Sequence, residues 1–198
     1  MAANIIFLLG GARSGKSTYA EELAKSFSDR VAYIATAEII DEEIKKRVLV
    51  HRERRPDTWV TYEFDNNLPS IEDYKNILSQ IVNSSYKIVL IDCITILLFR
   101  LIHKYKLDEI ETVSNNMEKV IEDEVKTFFE NFLLVSKEYA LKNDLKFIIV
   151  SNEVGLGVVP SYPLGRIFRD LMGTVNKEIA AVADEVHFFI AGIKQRIK

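Results

Sequence analysis

The sequence predicts an α/β fold, a mostly parallel central sheet flanked by helices, and three observations carry that expectation. Short apolar runs of strand length recur along the chain, helical stretches separate them, and the first run ends in a glycine-rich turn that leads straight into a helix. The length of 198 residues suits a single domain, residues 1–198, and a composition of 48% hydrophobic and 28% charged residues supplies both a core and a charged surface.

Taken in order, Asn4 to Leu9 is an apolar run ending in two glycines, as expected of a strand buried on both faces of a parallel sheet. A helix follows from Lys16, with Ala20, Leu23, Ala24 and Phe27 at helical spacing and Glu21, Glu22 and Lys25 turned outward. Val31 to Thr36 reads as the second strand, Asp41 to Val50 as a charged helix and Trp59 to Phe64 as a short strand. Pro69 stands where a helix can start and run to Val82, and Lys87 to Ile91 is the next buried strand, closed by Asp92. Leu97 to Lys142 contains neither Gly nor Pro and reads as two helices parting near Lys106 to Asp108. Lys146 to Val150 is another strand, Ser151 to Pro163 a Gly/Pro-rich loop, Leu164 to Ala183 an amphipathic helix and Val186 to Ile190 a closing strand. In a sheet of this kind ligands bind at the carboxyl ends of the strands.

Charge and cysteine content narrow the function classes. Twenty-six Lys and Arg against 29 Asp and Glu leave a net charge of −3, with no overall basic excess for a polyanion, so no nucleic-acid partner is expected. The single cysteine, Cys93, forms no internal disulfide, and the N-terminal residues lack a secretory pattern, which together predict a cytoplasmic protein. No apolar run approaches the ~20 residues of a bilayer span, so no membrane insertion is expected.

Gly10-Gly11-Ala12-Arg13-Ser14-Gly15-Lys16-Ser17 matches the phosphate-binding loop pattern in full, between an expected strand and an expected helix. Glycines allow the backbone to wrap the phosphates, amides at the helix start face the negative charge, Lys16 reaches the outer phosphates and Ser17 ligates Mg²⁺. The expected architecture is therefore P-loop NTPase-like, of the RecA-like kind. Asp92, at the end of a strand, is the expected carboxylate companion that holds Mg²⁺; standing alone it would read as a helix cap. Cys93 reads as a small buried thiol.

Lys45, Lys46, Arg47, Arg52, Arg54 and Arg55 surround His51, with Glu53 opposing them. Neighbouring positive charge disfavours protonation, and a neutral imidazole is a candidate nucleophile at phosphorus. By itself the same stretch reads better as a solvated basic helix end with an incidental surface histidine. His103 and His187 lack such surroundings and read as structural. The loop Asn152 to Pro160 follows a strand and reads as a lid on the functional edge, and Arg166, Arg169 and Asp170 share a helical spacing that is also that of a solvated face.

In this order the segments resemble the bifunctional adenosylcobinamide kinase and adenosylcobinamide-phosphate guanylyltransferase family over nearly the whole chain. The resemblance rests on Gly10 to Ser17, Tyr33-Ile34-Ala35-Thr36, His51-Arg52-Glu53-Arg54-Arg55-Pro56 with Trp59, Asp92-Cys93-Ile94-Thr95, Asn152 to Pro160, and Arg166-Ile167-Phe168-Arg169-Asp170 through Gly173, Asn176, Ala183 and Asp184. It implies phosphorylation of the aminopropanol hydroxyl of adenosylcobinamide by ATP or GTP, then coupling of adenosylcobinamide phosphate to GMP from GTP through a guanylylated His51. It also implies guanine-nucleotide contacts at Gly10 to Ser17, at Thr36, Ala37 and Glu38, at Arg52, Glu53, Arg54 and Arg55, and at Glu63 and Asp92, with Mg²⁺ bridging phosphates beside Lys16. A homotrimer is implied as well, for which Leu97, Leu98, Leu101 and Ile102 are candidate contacts unless they face a buried bundle. The chain departs from the family where Ile96-Leu97-Leu98-Phe99-Arg100 replaces the usual Leu-Trp-Leu-Thr-Asn, and Lys104 to Asn143 is long for it. Two other readings of the motifs are a P-loop kinase of another small metabolite and a nucleotide-dependent switch protein.

Overall fold

The computed structural model describes residues 4–37, 55–64 and 68–198. In chain order its elements are β1 (Ile5–Gly10), α1 (Lys16–Phe27), β2 (Val31–Ala35), β3 (Val60–Glu63), α2 (Ile71–Asn83), β4 (Ile88–Asp92), α3 (Ile94–His103), a 3₁₀ turn (Leu107–Glu109), α4 (Asn115–Asn143), β5 (Lys146–Asn152), α5 (Pro163–Val182), β6 (Glu185–Ile190) and β7 (Ile193–Arg196). Local chemistry sets several of these boundaries. Ser70 accepts the amide of Asp73 and Ser114 that of Met117, each satisfying a donor that the first turn of a helix leaves open. Asp144, in the left-handed conformation at φ 55°, ends α4, and Pro163 sits in the first turn of α5.

The strands form one sheet in the order β3-β2-β4-β5-β1-β6-β7. Neighbours are parallel throughout except β6 and β7, which form an antiparallel hairpin at one edge. β1 lies between β5 and β6, so the glycine-rich loop that follows it emerges from the interior of the sheet.

Period-two alternation divides the core into two layers. Ile5, Phe7 and Leu9 of β1, Ala32 and Ile34 of β2, and Phe147 and Ile149 of β5 pack under helices α2 to α5. Ile6, Leu8, Val31, Tyr33, Ile148 and Val150 face the other side, where Ala20 and Ala24 of α1 cover them. The long charged segment resolves into two helices, as expected. α4 packs a ridge of Phe128, Phe129 and Phe132 into the thicker layer, where Phe132 stacks on Tyr74 at 4.3 Å between ring centres.

Some expectations are changed or left aside, among them the outward placement of Glu21, which is buried on α1. Leu97, Leu98, Leu101 and Ile102 are all buried within the subunit's own core, so they cannot supply a contact between subunits. The reason is that α3 packs between the sheet and helices α4 and α5, and its apolar face has no solvent side to offer. The edge strand β7, four exposed residues, was not expected, because Ile193-Lys-Gln-Arg196 has no apolar period of its own and is ordered by pairing with β6. The expected helix at Asp41 to Val50 lies outside the described residues.

Replacing Phe132 by Ala is expected to remove about 3–5 kcal/mol of stability in urea unfolding, whereas Leu134→Ala, whose side chain is 65% exposed two positions away, should change it by no more than ~0.5 kcal/mol.

Candidate nucleotide site at the carboxyl edge of the sheet

The glycine-rich loop is built around one tight junction. A Cβ on Gly10 would lie 2.6 Å from the carbonyl oxygen and 2.9 Å from the Cβ of Phe189 on β6, and 2.9 Å from the Ser14 hydroxyl. No side chain fits there, and the chain turns immediately. Arg13 (φ 57°) and Gly15 (φ 91°) adopt left-handed conformations that bring the first amides of α1 back over the loop. Ser14 closes the turn by donating its amide to the Gly11 carbonyl at 3.3 Å. Gly11 is open, with nothing within 4 Å of a Cβ placed there, while Ala12 and Arg13 are exposed.

Lys16 is buried at the start of α1 and its ammonium donates to the Gly11 carbonyl at 2.9 Å. Burial lowers its pKa, and the nearby Cys93 and Asp92 partly offset that effect. The lysine thus lies folded within the loop, within the field of Asp92 at the end of β4. Ser17, half-buried, occupies the following position in the first turn of α1. Its hydroxyl and the Asp92 carboxylate are hard oxygen donors, the type that suits Mg²⁺ held by a few protein groups and by substrate phosphates. Among the described residues there is no cluster of three or more His, Cys, Asp or Glu side chains able to cage a metal by themselves.

Adjacent strand ends are tied together at this edge. The Thr36 hydroxyl donates to the Cys93 carbonyl and accepts the Cys93 amide, both at 2.8 Å, clamping the end of β2 to that of β4. Arg100 of α3, buried, donates to the Thr36 carbonyl at 3.3 Å. Thr95 accepts the amide of Asn152, and the Glu153 amide donates to the Gly10 carbonyl at 3.0 Å, so the end of β5 is fixed to both α3 and the phosphate loop. Asn176 of α5 accepts from Ser151 at 2.7 Å and donates to the Asn152 carbonyl at 3.0 Å.

Tyr33 joins two sequence-predicted groups that lie far apart in the chain. Its hydroxyl donates to Asp92 at 3.3 Å, and the guanidinium of Arg55 lies over its ring at 3.3 Å from the centre. Burial and the Asp92 charge push the Tyr33 phenol well above its usual pKa, with Arg55 opposing, so it stays protonated and able to donate. Arg55 also donates to Thr61 on β3 at 3.2 Å. Tyr33 was not singled out as a site residue in the sequence; the usable signal was a polar-tipped aromatic near the end of a strand, on the same face as the phosphate-loop helix.

Of the other expected site residues, Ala37 lies half-buried just past β2, and Glu63 is exposed at the end of β3. Glu38, His51, Arg52, Glu53 and Arg54 lie outside the described residues. Arg166 and Arg169 do not act together as one cationic face. Arg166 donates to the Ser161 and Pro160 carbonyls at 2.7 and 3.2 Å, whereas Arg169 pairs with Asp170 at 2.7 Å. Burial, with the Asp92 charge adding to it, pushes the Cys93 thiol up to about 11, which leaves it protonated and a poor nucleophile.

A family model described as "Cobinamide kinase / cobinamide phosphate guanyltransferase" matches residues 6–197. The chain is 36% identical over 196 residues to the bifunctional adenosylcobalamin biosynthesis protein CobU of Escherichia coli (strain K12), covering 98% of this chain and 99% of that protein. It is 33% identical to the bifunctional adenosylcobalamin biosynthesis protein CobP of Pseudomonas aeruginosa, covering 96% and 95%. Among solved structures, a prototypical ATPase of a bacterial type III secretion system superposes with a TM-score of 0.52 at 11% identity, covering 94% of this chain and 51% of that one. This last likeness concerns the fold alone, and it agrees with the P-loop NTPase-like sheet.

Gly10→Ala is expected to cost about 1–3 kcal/mol in urea unfolding, because the added methyl collides with backbone, and Gly11→Ala no more than ~0.5 kcal/mol. Cys93 is expected to resist iodoacetamide in the folded protein at pH 8 and to react in denaturant, with the folded-state rate rising toward pH 11; mass spectrometry of the alkylated peptide reads both.

Proposed function

The chain belongs to the cobinamide kinase / cobinamide phosphate guanyltransferase family of cobalamin biosynthesis, a nucleotide-using kinase and guanylyltransferase, and from that premise we propose how its residues divide the two reactions. ATP or GTP binds with its phosphates over Gly10 to Ser17, where loop amides and Lys16 meet the negative charge. Lys16 exchanges its intraloop bond to Gly11 for a phosphate oxygen and neutralises charge on the transferring γ-phosphoryl group as the aminopropanol hydroxyl of adenosylcobinamide attacks it. Mg²⁺, when held by Ser17 and Asp92, supplies charge neutralisation between phosphate oxygens. Tyr33 orients the Asp92 carboxylate by its hydrogen bond, and the Thr36–Cys93 clamp fixes the backbone on which that carboxylate stands.

In the second reaction the imidazole of His51 attacks the α-phosphorus of GTP. A phosphorus–nitrogen bond forms as the bond to pyrophosphate breaks, leaving guanylyl-His51. An oxygen of adenosylcobinamide phosphate then attacks the same phosphorus, the phosphorus–nitrogen bond breaks, and adenosylcobinamide-GDP is released. Arg52, Arg54 and Arg55 balance charge on the phosphates, with Thr36, Ala37, Glu38, Glu53 and Glu63 as further nucleotide contacts. The observation that supports this division most directly is Arg55 on the ring of Tyr33, whose hydroxyl donates to Asp92 at the phosphate site.

Incubation with GTP labelled at the α-phosphate is expected to label the protein through a bond that is labile in acid and stable in alkali. GTP labelled at the γ-phosphate should leave no label, and His51→Ala should abolish the α-label while retaining nucleotide binding. Undiminished labelling in His51→Ala would reject His51 as the nucleophile.

A further inference from the structure

The loop after β5 exposes apolar side chains in a way that its own construction does not require. Leu156, Val158, Val159 and Tyr162 are 80%, 94%, 60% and 59% exposed. From Val154 to Pro160 the sequence is Val-Gly-Leu-Gly-Val-Val-Pro, without one polar side chain, where solvated loops are ordinarily rich in Ser, Asn and Asp.

The loop is also held firmly. Its base is tied to the phosphate loop by the Glu153 amide on the Gly10 carbonyl, and its first turn is closed by the Gly155 amide on the Glu153 carboxylate at 2.7 Å. Its far end is pinned by Arg166 on the Ser161 and Pro160 carbonyls. It is packed so closely on α5 that a Cβ on Gly165 would lie 2.6 Å from Pro160 and 2.9 Å from the Tyr162 ring. Scattered exposed apolar residues are ordinary, but several on one braced loop beside a phosphate site mark a binding surface.

The proposed nucleotide contacts are polar or main-chain groups, so this loop suits the other substrate. A corrinoid is a large macrocycle with methyl-bearing faces and amide arms, an apolar area with a polar rim. We propose that the loop spanning residues 154–162 is the platform on which the corrin ring docks, directing the aminopropanol arm toward the phosphates over Gly10 to Ser17. This rests on the functional reading above, and continuity with the phosphate loop through Glu153 and Gly10 selects the substrate over a second copy of the chain as occupant.

The test uses Leu156→Asp, Val158→Asp and the double variant, all at exposed positions. Expected is a rise of about tenfold or more in the KM for both cobinamide and cobinamide phosphate, matched by weaker corrinoid binding in equilibrium dialysis. Nucleotide affinity and the yield of guanylyl-protein from GTP alone, neither of which involves the corrinoid, should stay at the parent level. Parent-like corrinoid KM values in the double variant would overturn the proposal. So would a KM change that tracks a loss of oligomer mass in sedimentation, since the loop would then be a surface between copies. A parent protein that binds no corrinoid but forms guanylyl-protein removes the platform alone, whereas one that does neither removes the functional reading with it.

Discussion

The carboxyl end of β1 has no room for a side chain, and most of the site follows from that. Gly10 lies against the carbonyl of Phe189 on one neighbouring strand while its own carbonyl accepts the Glu153 amide from the other. Three strands therefore converge on one backbone position. The chain must turn there, which sets where α1 begins and aims its first amides at the edge of the sheet. The same hydrogen bond fixes the start of the loop after β5. The phosphate loop and the apolar loop thus share a foundation, and their spacing is set by strand register, with little dependence on loop conformation.

Around that point the two faces of the sheet are covered unequally, and the inequality has consequences for function. Helices α2 to α5 pack a large apolar layer on one face, whereas on the other α1 and Trp59 share a smaller layer with strand residues that include Tyr33 and Phe189. On the thinner face, where side chains reach toward the edge, Tyr33 has one end on Asp92 and its ring beneath Arg55. Protonation states sharpen the chemistry. Burial keeps the Cys93 thiol and the Tyr33 phenol protonated, so neither adds a negative charge beside Asp92.

Much of this was legible in the chain itself. Strand-length apolar runs separated by helical stretches specify a parallel α/β sheet, because a strand buried on both faces has no polar alternation to display. The phosphate loop was legible because its glycines answer to local backbone geometry, and its lysine and serine take their positions from the helix they begin. Strand β7 was not legible, since four exposed residues with no apolar period become a strand by pairing with β6. Leu97, Leu98, Leu101 and Ile102 illustrate a different limit: helical periodicity reveals an apolar face without telling whether a neighbouring element or a neighbouring subunit covers it.

The sequence by itself determined the fold class, the phosphate loop and the family, each carried by contiguous residues whose local chemistry is sufficient. Tertiary structure alone decided which distant groups meet: Tyr33 with Asp92 and Arg55, Thr36 with Cys93, and Gly10 with Glu153 and Phe189. It also divided the work of two arginines on one helix, setting Arg166 to brace a loop and Arg169 to pair with Asp170. The physical reason is that these contacts depend on strand order and register, which arise from how the whole core packs and which no single segment encodes.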